Sequence, residues 1–469
     1  MIDLSALKSQ FKDKPVAVLG LGRSGLSVFE ACKAAGIQTV LWDDGENMRK
    51  AALDKGATVE DFTNGDWSRF ACLCVAPGIP LTHPAPHPAI AAAQKHGIDI
   101  LGDMELFRRA KPDARTIGIT GTNGKSTTTA LIGHIIKSAG VEVAVGGNIG
   151  EAVLGLPDLS AGSIYVLELS SYQLDLMHSF SPDISLLLNI SPDHLDRHGS
   201  MEGYMAAKER IFRGKGIGVI GVDDEGSAAI FARQRKEGQR RMTPVSCLRP
   251  MTQGVFVSAE GELFDGPHGV VDLNTCPALR GRHNWQNAAL AYTACRAAGI
   301  DTPAIAKGLQ SFPGLEHRQK IVTSLHGVTY VNDSKATNDD AAAVALSTYS
   351  PIYWIAGGQD KGSGYHKCEK HLSHIRHAFL IGAAEDILAA WLDKHKKPYT
   401  RCGTLDKAVE AAHALAQREA LDHATVLLSP ACASFDQFKS FEHRGDAFNE
   451  AVRRVTADTK SAEKKGGPV

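Results

Sequence analysis

The stretch TIGITGTNGKSTTTALIGHII, residues 116–136, constrains this chain more than any other part of it. A β-branched run leads into spaced glycines and then into a run that reads as helix, so strand, loop and helix follow directly on one another. Gly121 and Gly124 let the backbone wrap a phosphate, Lys125 reaches the terminal phosphates, and Ser126 is placed for a divalent cation. The strict phosphate-loop pattern wants glycine at position 119, where this chain has Ile119, so a generic NTPase match fails by one residue. The mechanics still hold, and they require an α/β architecture.

The same grammar recurs along the chain. VAVLG (Val16 to Gly20), TVLWDD (Thr39 to Asp44) and CLCVAPG (Cys72 to Gly78) alternate with helix-like stretches as βαβ units do. IYVLELSS (Ile164 to Ser171) and ISLLLNISPDH (Ile184 to His194) repeat it, and so do VTYVNDS, IYWIAGG, HAFLIG and TVLLSPA between Val328 and Ala431. Alternating segments between Gly254 and Asn274 predict antiparallel hairpins beside a parallel sheet. The chain has 469 residues, too many for one core. Breaks at Pro112-Asp113 and Phe312-Pro313-Gly314 divide it into 1–111, 112–314 and 315–469, and the lysine- and glycine-rich tail from Asp458 is predicted to be disordered. Polar clusters follow the carboxyl ends of the strands, where open α/β sheets bind ligands, so the chemistry is expected in a cleft between domains.

Charge narrows the partners. Lysine plus arginine (51) nearly cancels aspartate plus glutamate (52), so no global field recruits nucleic acid or an anionic membrane. Met1 to Lys14 carries Asp3, Lys8, Lys12 and Asp13 and lacks the apolar core of a secretory signal, and no run is long enough to span a bilayer, which predicts a cytoplasmic protein. Nine scattered cysteines without a C-x-x-C pair fit a reducing compartment. Cys72 and Cys74, two apart in a strand, read as core.

Several motifs carry two readings each. GLGRSG, with Gly20, Gly22 and Gly25, is followed about twenty residues on by Asp43 and Asp44, which completes a dinucleotide fingerprint. Its physical content suits any diphosphate, and a tight turn with packing glycines is the plainer reading. ELSSYQ places Glu168 and SPDH places His194 at successive strand ends, where they could complete a Mg²⁺ site with Ser126; a structural histidine is an equal alternative for His194. Lys208 in YMAAKERIF reads as a solvated helix lysine. Asn284 and Asn287 share the first turn of a helix and suit a nucleobase edge or a cap. In LEHR, Arg318 can clamp phosphate, and Lys335, Thr337, Lys361 and Ser434 fall on strand ends suited to a small anion.

Together GTNGKST, ELSSYQ, NISPDHLDRH, YMAAKERIF, GRHNWQN, GLEHR, VNDSKATN and SPACASFDQFKSFEHRG, in this order, resemble the Mur ligase family over essentially the whole chain to about Asp446. The resemblance implies an N-terminal Rossmann-like domain for a UDP moiety, a central P-loop ATPase-like domain whose mixed sheet carries the small antiparallel subsheet, and a C-terminal Rossmann-like domain for an acceptor amino acid. Gly22, Arg23, Ser24, Asp43, Asp44, Gly78 and Asn148 would hold UDP, and Ser170 and Gln173 the sugar-peptide. Gly121, Thr122, Asn123, Gly124, Lys125, Ser126, Thr127, Asn284, Asn287, Arg318 and Asp333 match ATP contacts. Ser126, Glu168 and His194 match Mg²⁺ positions, and Lys208 the family's carbamylated lysine, a CO₂-derived carbamate that organises the metal. Lys335, Thr337, Lys361, Ser434 and Phe435 match the surroundings of D-glutamate, with Lys125, Lys208, His194 and Lys335 as the catalytic set.

The implied reaction is ATP-dependent addition of D-glutamate to UDP-N-acetylmuramoyl-L-alanine through an acyl phosphate, by a monomer that closes its C-terminal domain on the centre. Two other classes use parts of the sequence. A nicotinamide oxidoreductase would use GLGRSG but leaves GTNGKST without a task. A noncatalytic nucleotide switch would use GTNGKST but not the third domain.

Overall fold

The computed structural model of the chain describes residues 1–360, 362 and 364–465. Among them the strands form three sheets. The first takes β1 (Val16–Leu19), β2 (Thr39–Trp42), β3 (Cys72–Val75) and β4 (Ile100–Leu101) in the order β2-β1-β3-β4, all parallel. The second takes β5 (Arg115–Thr120), β6 (Val143–Gly147), β7 (Ile164–Glu168), β8 (Ile184–Leu187), β9 (Gly216–Gly221), β10 (Arg240–Ser246), β11 (Val255–Val257), β12 (Glu262–Asp265) and β13 (His268–Asp272). Their order is β13-β12-β11-β10-β9-β8-β5-β7-β6, and only the β11-β12-β13 edge is antiparallel. That edge is the alternating stretch between Gly254 and Asn274.

The third sheet takes β14 (Lys320–Leu325), β15 (Val328–Asn332), β16 (Ile352–Gly357), β17 (Ile375–Ile381), β18 (Tyr399–Gly403) and β19 (Thr425–Leu428) in the order β14-β15-β19-β16-β17-β18. Only the β14–β15 pair is antiparallel. The parallel strands β1, β3, β5, β7, β16 and β19 are buried along their lengths save the exposed start of β5, as the continuous apolar runs require of strands covered on both faces. Cys72 and Cys74 lie in this core, and all nine cysteines are buried and free.

The chain forms two compact units, Met1–Phe312 and Pro313–Val469. Within the first, the helix Asp103–Ala110 joins the first sheet to the second. Its Glu105 is fully buried and accepts the backbone N–H groups of His178, Ser179 and Phe180 at 3.0–3.1 Å together with the Ser179 hydroxyl at 2.6 Å. Burial pushes this carboxyl up, but those donors outweigh it and hold it below its ordinary range. Phe107 packs edge-on against Tyr165 and Phe180, with ring centroids 5.0 and 5.9 Å away.

In the second unit the last helix, Phe441–Lys465, runs past Asp458, where disorder is expected from composition. The reason is amphipathic: Phe448, Ala451, Val452 and Val455 bury one face and carry the helix forward. Residues 466–469 lie outside the described residues. Among the described residues no helix is long and apolar enough to cross a membrane.

Candidate functional site

Three predicted motifs converge at the carboxyl end of the second sheet. β5 runs between β7 and β8, and Gly121 leaves it with φ 153°. A Cβ at Gly121 would lie 2.9 Å from that of Leu188 in the neighbouring strand's exit, so only glycine fits there. Gly124 has φ +83° and caps the helix Lys125–Ser138; a Cβ on it would lie 2.3 Å from Asn287 Oδ1. Asn287, in the first turns of the helix Arg282–Ala297, is thus packed on the loop, and its amide donates to Asn284 Oδ1 at 3.3 Å. Asn284 in turn donates to the carbonyl of Arg280 at 3.0 Å, and neither asparagine caps the helix, whose N-cap is Gly281 without a side-chain hydrogen bond.

The loop is held by side chains the motif does not include. Asn189 takes the N–H of Asn123 at 2.9 Å and gives its own amide to the Asn123 carbonyl at 3.1 Å. Thr122 Oγ1 lies 3.1 Å from the Tyr204 hydroxyl and accepts the N–H of Ser191 at 3.0 Å. Lys125 Nζ donates to the carbonyls of Gly121 and Thr122, both at 2.8 Å, across the mouth of the loop. Tyr204 lies one helical turn before Lys208, a spacing that places both on one face and that composition alone does not single out.

Lys208 is where the sequence expectation fails. It is not solvated: it is 2% exposed, and its ammonium donates to the Gly121 carbonyl at 2.9 Å with the Tyr204 ring 4.8 Å away. Burial first, then the charge of Lys125, pull its pKa well below the ordinary lysine range, against the weaker pull of Asp193 and Glu168. The helix Met201–Glu209 packs that face inward, a long-range fact invisible to local pattern. A lowered pKa raises the share of neutral amine, the nucleophilic form of lysine.

Glu168 ends β7, paired with Ile119 of β5, and is 2% exposed. Its Oε1 accepts the Asn148 amide at 2.6 Å, while its buried Oε2 has no hydrogen-bond partner among the described residues. A buried carboxyl oxygen left unpaired next to a phosphate loop could accept a cation. His194 adopts a left-handed conformation, φ 52°, with its Nε2 3.4 Å from Asp193 and its ring 5.1 Å from that of Tyr172. Four residues on, His198 is buried between Tyr172 and Tyr204, 2.9 Å from Ser171 Oγ; burial, then His194, lower its pKa to about 4, so it stays neutral. Among the described residues no three His, Cys, Asp or Glu side chains form a metal cage. Ser126, in the first turn of the loop helix, and Glu168 are oxygen donors of the kind Mg²⁺ takes.

The residues expected around UDP meet this cluster through Asn148. Arg23, at the start of the helix Arg23–Ala34, donates to the Asn148 carbonyl at 3.0 Å and to that of Gly150 at 2.5 Å. Ser24 hydrogen-bonds Asp103, a carboxyl raised above its usual range by burial. Asp43 is occupied in shaping the glycine turn, accepting Leu21 N–H at 2.6 Å and Gly45 N–H at 2.8 Å, whereas Asp44 faces His87 at 3.2 Å. Gly78 gives its carbonyl to Arg197 at 2.9 Å, and that guanidinium lies over the Tyr172 ring. Ser170 and Gln173 form a reciprocal capping box at the helix Ser171–Asp175, with Gln173 3% exposed, so their side chains are engaged with each other.

The second unit gathers its own set. Asp333, just after β15, accepts Ser429 Oγ at 2.8 Å and Gln319 N–H at 3.2 Å; burial raises its carboxyl to about 7. Lys335 receives the His317 carbonyl on its N–H at 3.0 Å and holds its ammonium 3.8 Å from the centre of the Phe441 ring, and Thr337 N–H donates to the Lys335 carbonyl at 2.8 Å. Ser434 is buried with no hydrogen-bond partner for its hydroxyl among the described residues, and Phe435 beside it is 70% exposed. Lys361 lies outside the described residues. Sequence reasoning passes over Arg444, which is 1% exposed and donates to the carbonyls of Ser334, Cys432 and Ala433 and to Ser334 Oγ, fixing two candidate segments together.

The Mur ligase middle domain family matches residues 119–295, and the Mur ligase glutamate ligase domain matches residues 317–432. The chain is 48% identical over 445 residues to the UDP-N-acetylmuramoylalanine–D-glutamate ligase of Paramagnetospirillum magneticum, covering 94% of this chain and 97% of the relative. It is 50% identical over 455 residues to the protein of the same name from Caulobacter sp. strain K31, covering 94% and 96%. In fold it resembles the UDP-N-acetylmuramate-alanine ligase of Thermotoga maritima, with a TM-score of 0.59 at 17% identity over 94% of this chain and 100% of that one. With two family domains spanning the phosphate loop and the third sheet, and relatives alike from end to end, this chain belongs to the Mur ligase family.

Proposed function

We propose that the chain is an ATP-dependent ligase that joins D-glutamate to the alanyl carboxylate of UDP-N-acetylmuramoyl-L-alanine, a step in making peptidoglycan precursor. The observation that carries the chemistry is the cluster of Lys125, Glu168 and Lys208 around one phosphate loop. The near full-length likeness to D-glutamate ligases supports the acceptor. Residues 1–111 then serve the UDP moiety in a Rossmann-like domain, 112–314 the ATP, and 315–469 the amino acid in a second Rossmann-like domain.

In this reading the loop amides and Lys125 hold the phosphates of ATP, exchanging the carbonyls Lys125 now faces for phosphate oxygens. Asn284 and Asn287 meet the base, and Arg318 and Asp333 match further nucleotide positions of the family. Arg23, Ser24, Asp43, Asp44, Gly78 and Asn148 hold UDP, with Ser170 and Gln173 toward the sugar-peptide. The alanyl carboxylate attacks the γ-phosphorus, and the γ-phosphoryl group passes to it with ADP leaving, giving an acyl phosphate. The D-glutamate amine attacks that carbonyl, loses a proton, and phosphate departs as the amide forms. Lys335 stabilises the oxyanion of that step, and Thr337, Lys361, Ser434 and Phe435 surround the amino acid.

Ser126, Glu168 and His194 would hold Mg²⁺, which supplies neutralisation of charge on the transferring phosphoryl group. Burial and the charge of Lys125 favour the neutral form of Lys208, the amine form that adds CO₂; its carbamate would turn a buried base into an anion facing the same cation. Incubation with ¹³C-bicarbonate tests this: a carbamate resonance in wild type and none in Lys208→Ala supports it, and no resonance in either excludes it.

The acceptor is tested by phosphate release from ATP, Mg²⁺ and UDP-N-acetylmuramoyl-alanine with D-glutamate, L-glutamate, L-lysine or diaminopimelate in turn. Release is expected with D-glutamate alone. Release confined to another acceptor would replace the substrate while keeping the ligase reading.

A further inference from the structure

The middle of the chain carries a cavity that the ligase reading does not use. It encloses about 890 Å³ against β10 and β11, between the helix Glu225–Glu237 and the C-terminal half of the helix Arg282–Ala297. Four arginines line it: Arg235, Arg241, Arg249 and Arg296. None has a carboxylate within ion-pairing distance among the described residues, and the one acid in the wall, Asp265, is engaged by the Tyr292 hydroxyl at 3.0 Å. The tyrosine hydroxyl is a neutral donor, so four arginines face one carboxylate and the concavity keeps a formal excess of three positive charges in a chain of net charge −1.

The site is separate from the phosphate loop. Asn287, which packs on Gly124, and Arg296, which lines the cavity, are nine residues apart on one helix, a rise of about 14 Å. Apolar side chains share the lining with the arginines: Phe231, Met242 and Val255. Guanidinium forks match phosphate oxygens two at a time, and four of them exceed what a single phosphate dianion neutralises. The volume falls in the range of small-molecule sites, about 300–1,000 Å³. A polynucleotide is served by an extended basic stripe, whereas these four arginines converge on one half-open concavity.

We propose that this cavity is a second anion site, whose ligand is a small organic molecule bearing two or more clustered phosphates, its body resting against Phe231 and Met242. It stands independently of the ligase reading, because it is tested by binding alone.

The probe is inorganic tripolyphosphate, titrated calorimetrically into the full-length protein at physiological ionic strength. Binding is expected to persist in Lys125→Ala, which disables the phosphate loop, and to weaken at least about tenfold when Arg241→Gln and Arg296→Gln are combined, the loss of two charge-assisted contacts. Neutralising two exposed lysines elsewhere, Lys95→Gln with Lys394→Gln, should leave it unchanged. All four side chains are exposed, so the arginine variant is expected to keep the wild-type melting temperature. The proposal is overturned if wild type does not bind, if Lys125→Ala alone abolishes binding, or if the lysine control loses as much. A single-stranded oligonucleotide bound more tightly than tripolyphosphate through the same arginines would overturn the small-molecule assignment.

Discussion

Lys208 and Asp333 are the two residues at which burial sets the chemistry, and each makes a prediction with a sign. Lys208 folds with its pKa pulled well below the unfolded value, so its stability contribution is complete only above that unfolded value and is lost as pH falls toward the folded one. In bicarbonate-free buffer, Lys208→Met should therefore be at least as stable as wild type at pH 7, and its advantage should shrink toward pH 10. Ligase activity should meanwhile fall by at least about 10²-fold. Denaturant midpoints at both pH values check the first part; a variant less stable than wild type at pH 7 contradicts it. Asp333 is shifted the other way, up to about 7 by burial, so the chain loses stability as pH rises toward that value. Asp333→Asn should flatten the stability profile between about pH 4 and pH 7, and an unchanged slope would remove the buried carboxyl from the account. Neither shift is legible in sequence, where YMAAKERIF reads as a solvated helix and VNDSKATN as a strand end. Burial there depends on partners far along the chain, Gly121 for Lys208 and Ser429 for Asp333.

Elements were more legible than residues, because strand, glycine turn and helix are local patterns. The loop GTNGKST sits as its glycines require, and the stretch between Gly254 and Asn274 builds its antiparallel edge. What sequence could not supply was the second layer: Asn189, Tyr204 and Asn287 brace the loop from one other strand exit and two helices. Gly124→Ala tests that bracing. A methyl there meets Asn287 Oδ1 and forces a left-handed alanine, a cost of about 1–2 kcal/mol before any rearrangement of the Asn287 side chain. ATP affinity by equilibrium titration should fall at least about tenfold. Unchanged ATP affinity would mean the nucleotide lies elsewhere. The same distinction explains Asp43 and Gln173, chosen from sequence as ligand contacts and found engaged with backbone amides and a cap.

For the whole molecule, composition and punctuation gave several α/β sheets, and the structure adds how they are grouped. Pro112-Asp113 separates the first two sheets in sequence, yet both belong to one compact unit because Glu105 and Phe107 join them through residues some seventy positions away. Candidate nucleotide residues fall in both units, with the loop, Asn284 and Asn287 in the first and Arg318 and Asp333 in the second. A chain that only held nucleotide would not need the acceptor residues of the third sheet. The central claim is that ATP's phosphate is passed to the substrate carboxylate before the amine arrives. UDP-N-acetylmuramoyl-alanine labelled with ¹⁸O in its alanyl carboxylate, incubated with ATP, Mg²⁺ and D-glutamate, tests it most directly. The account predicts one ¹⁸O in each phosphate released and the other in the new amide; unlabelled phosphate would contradict it.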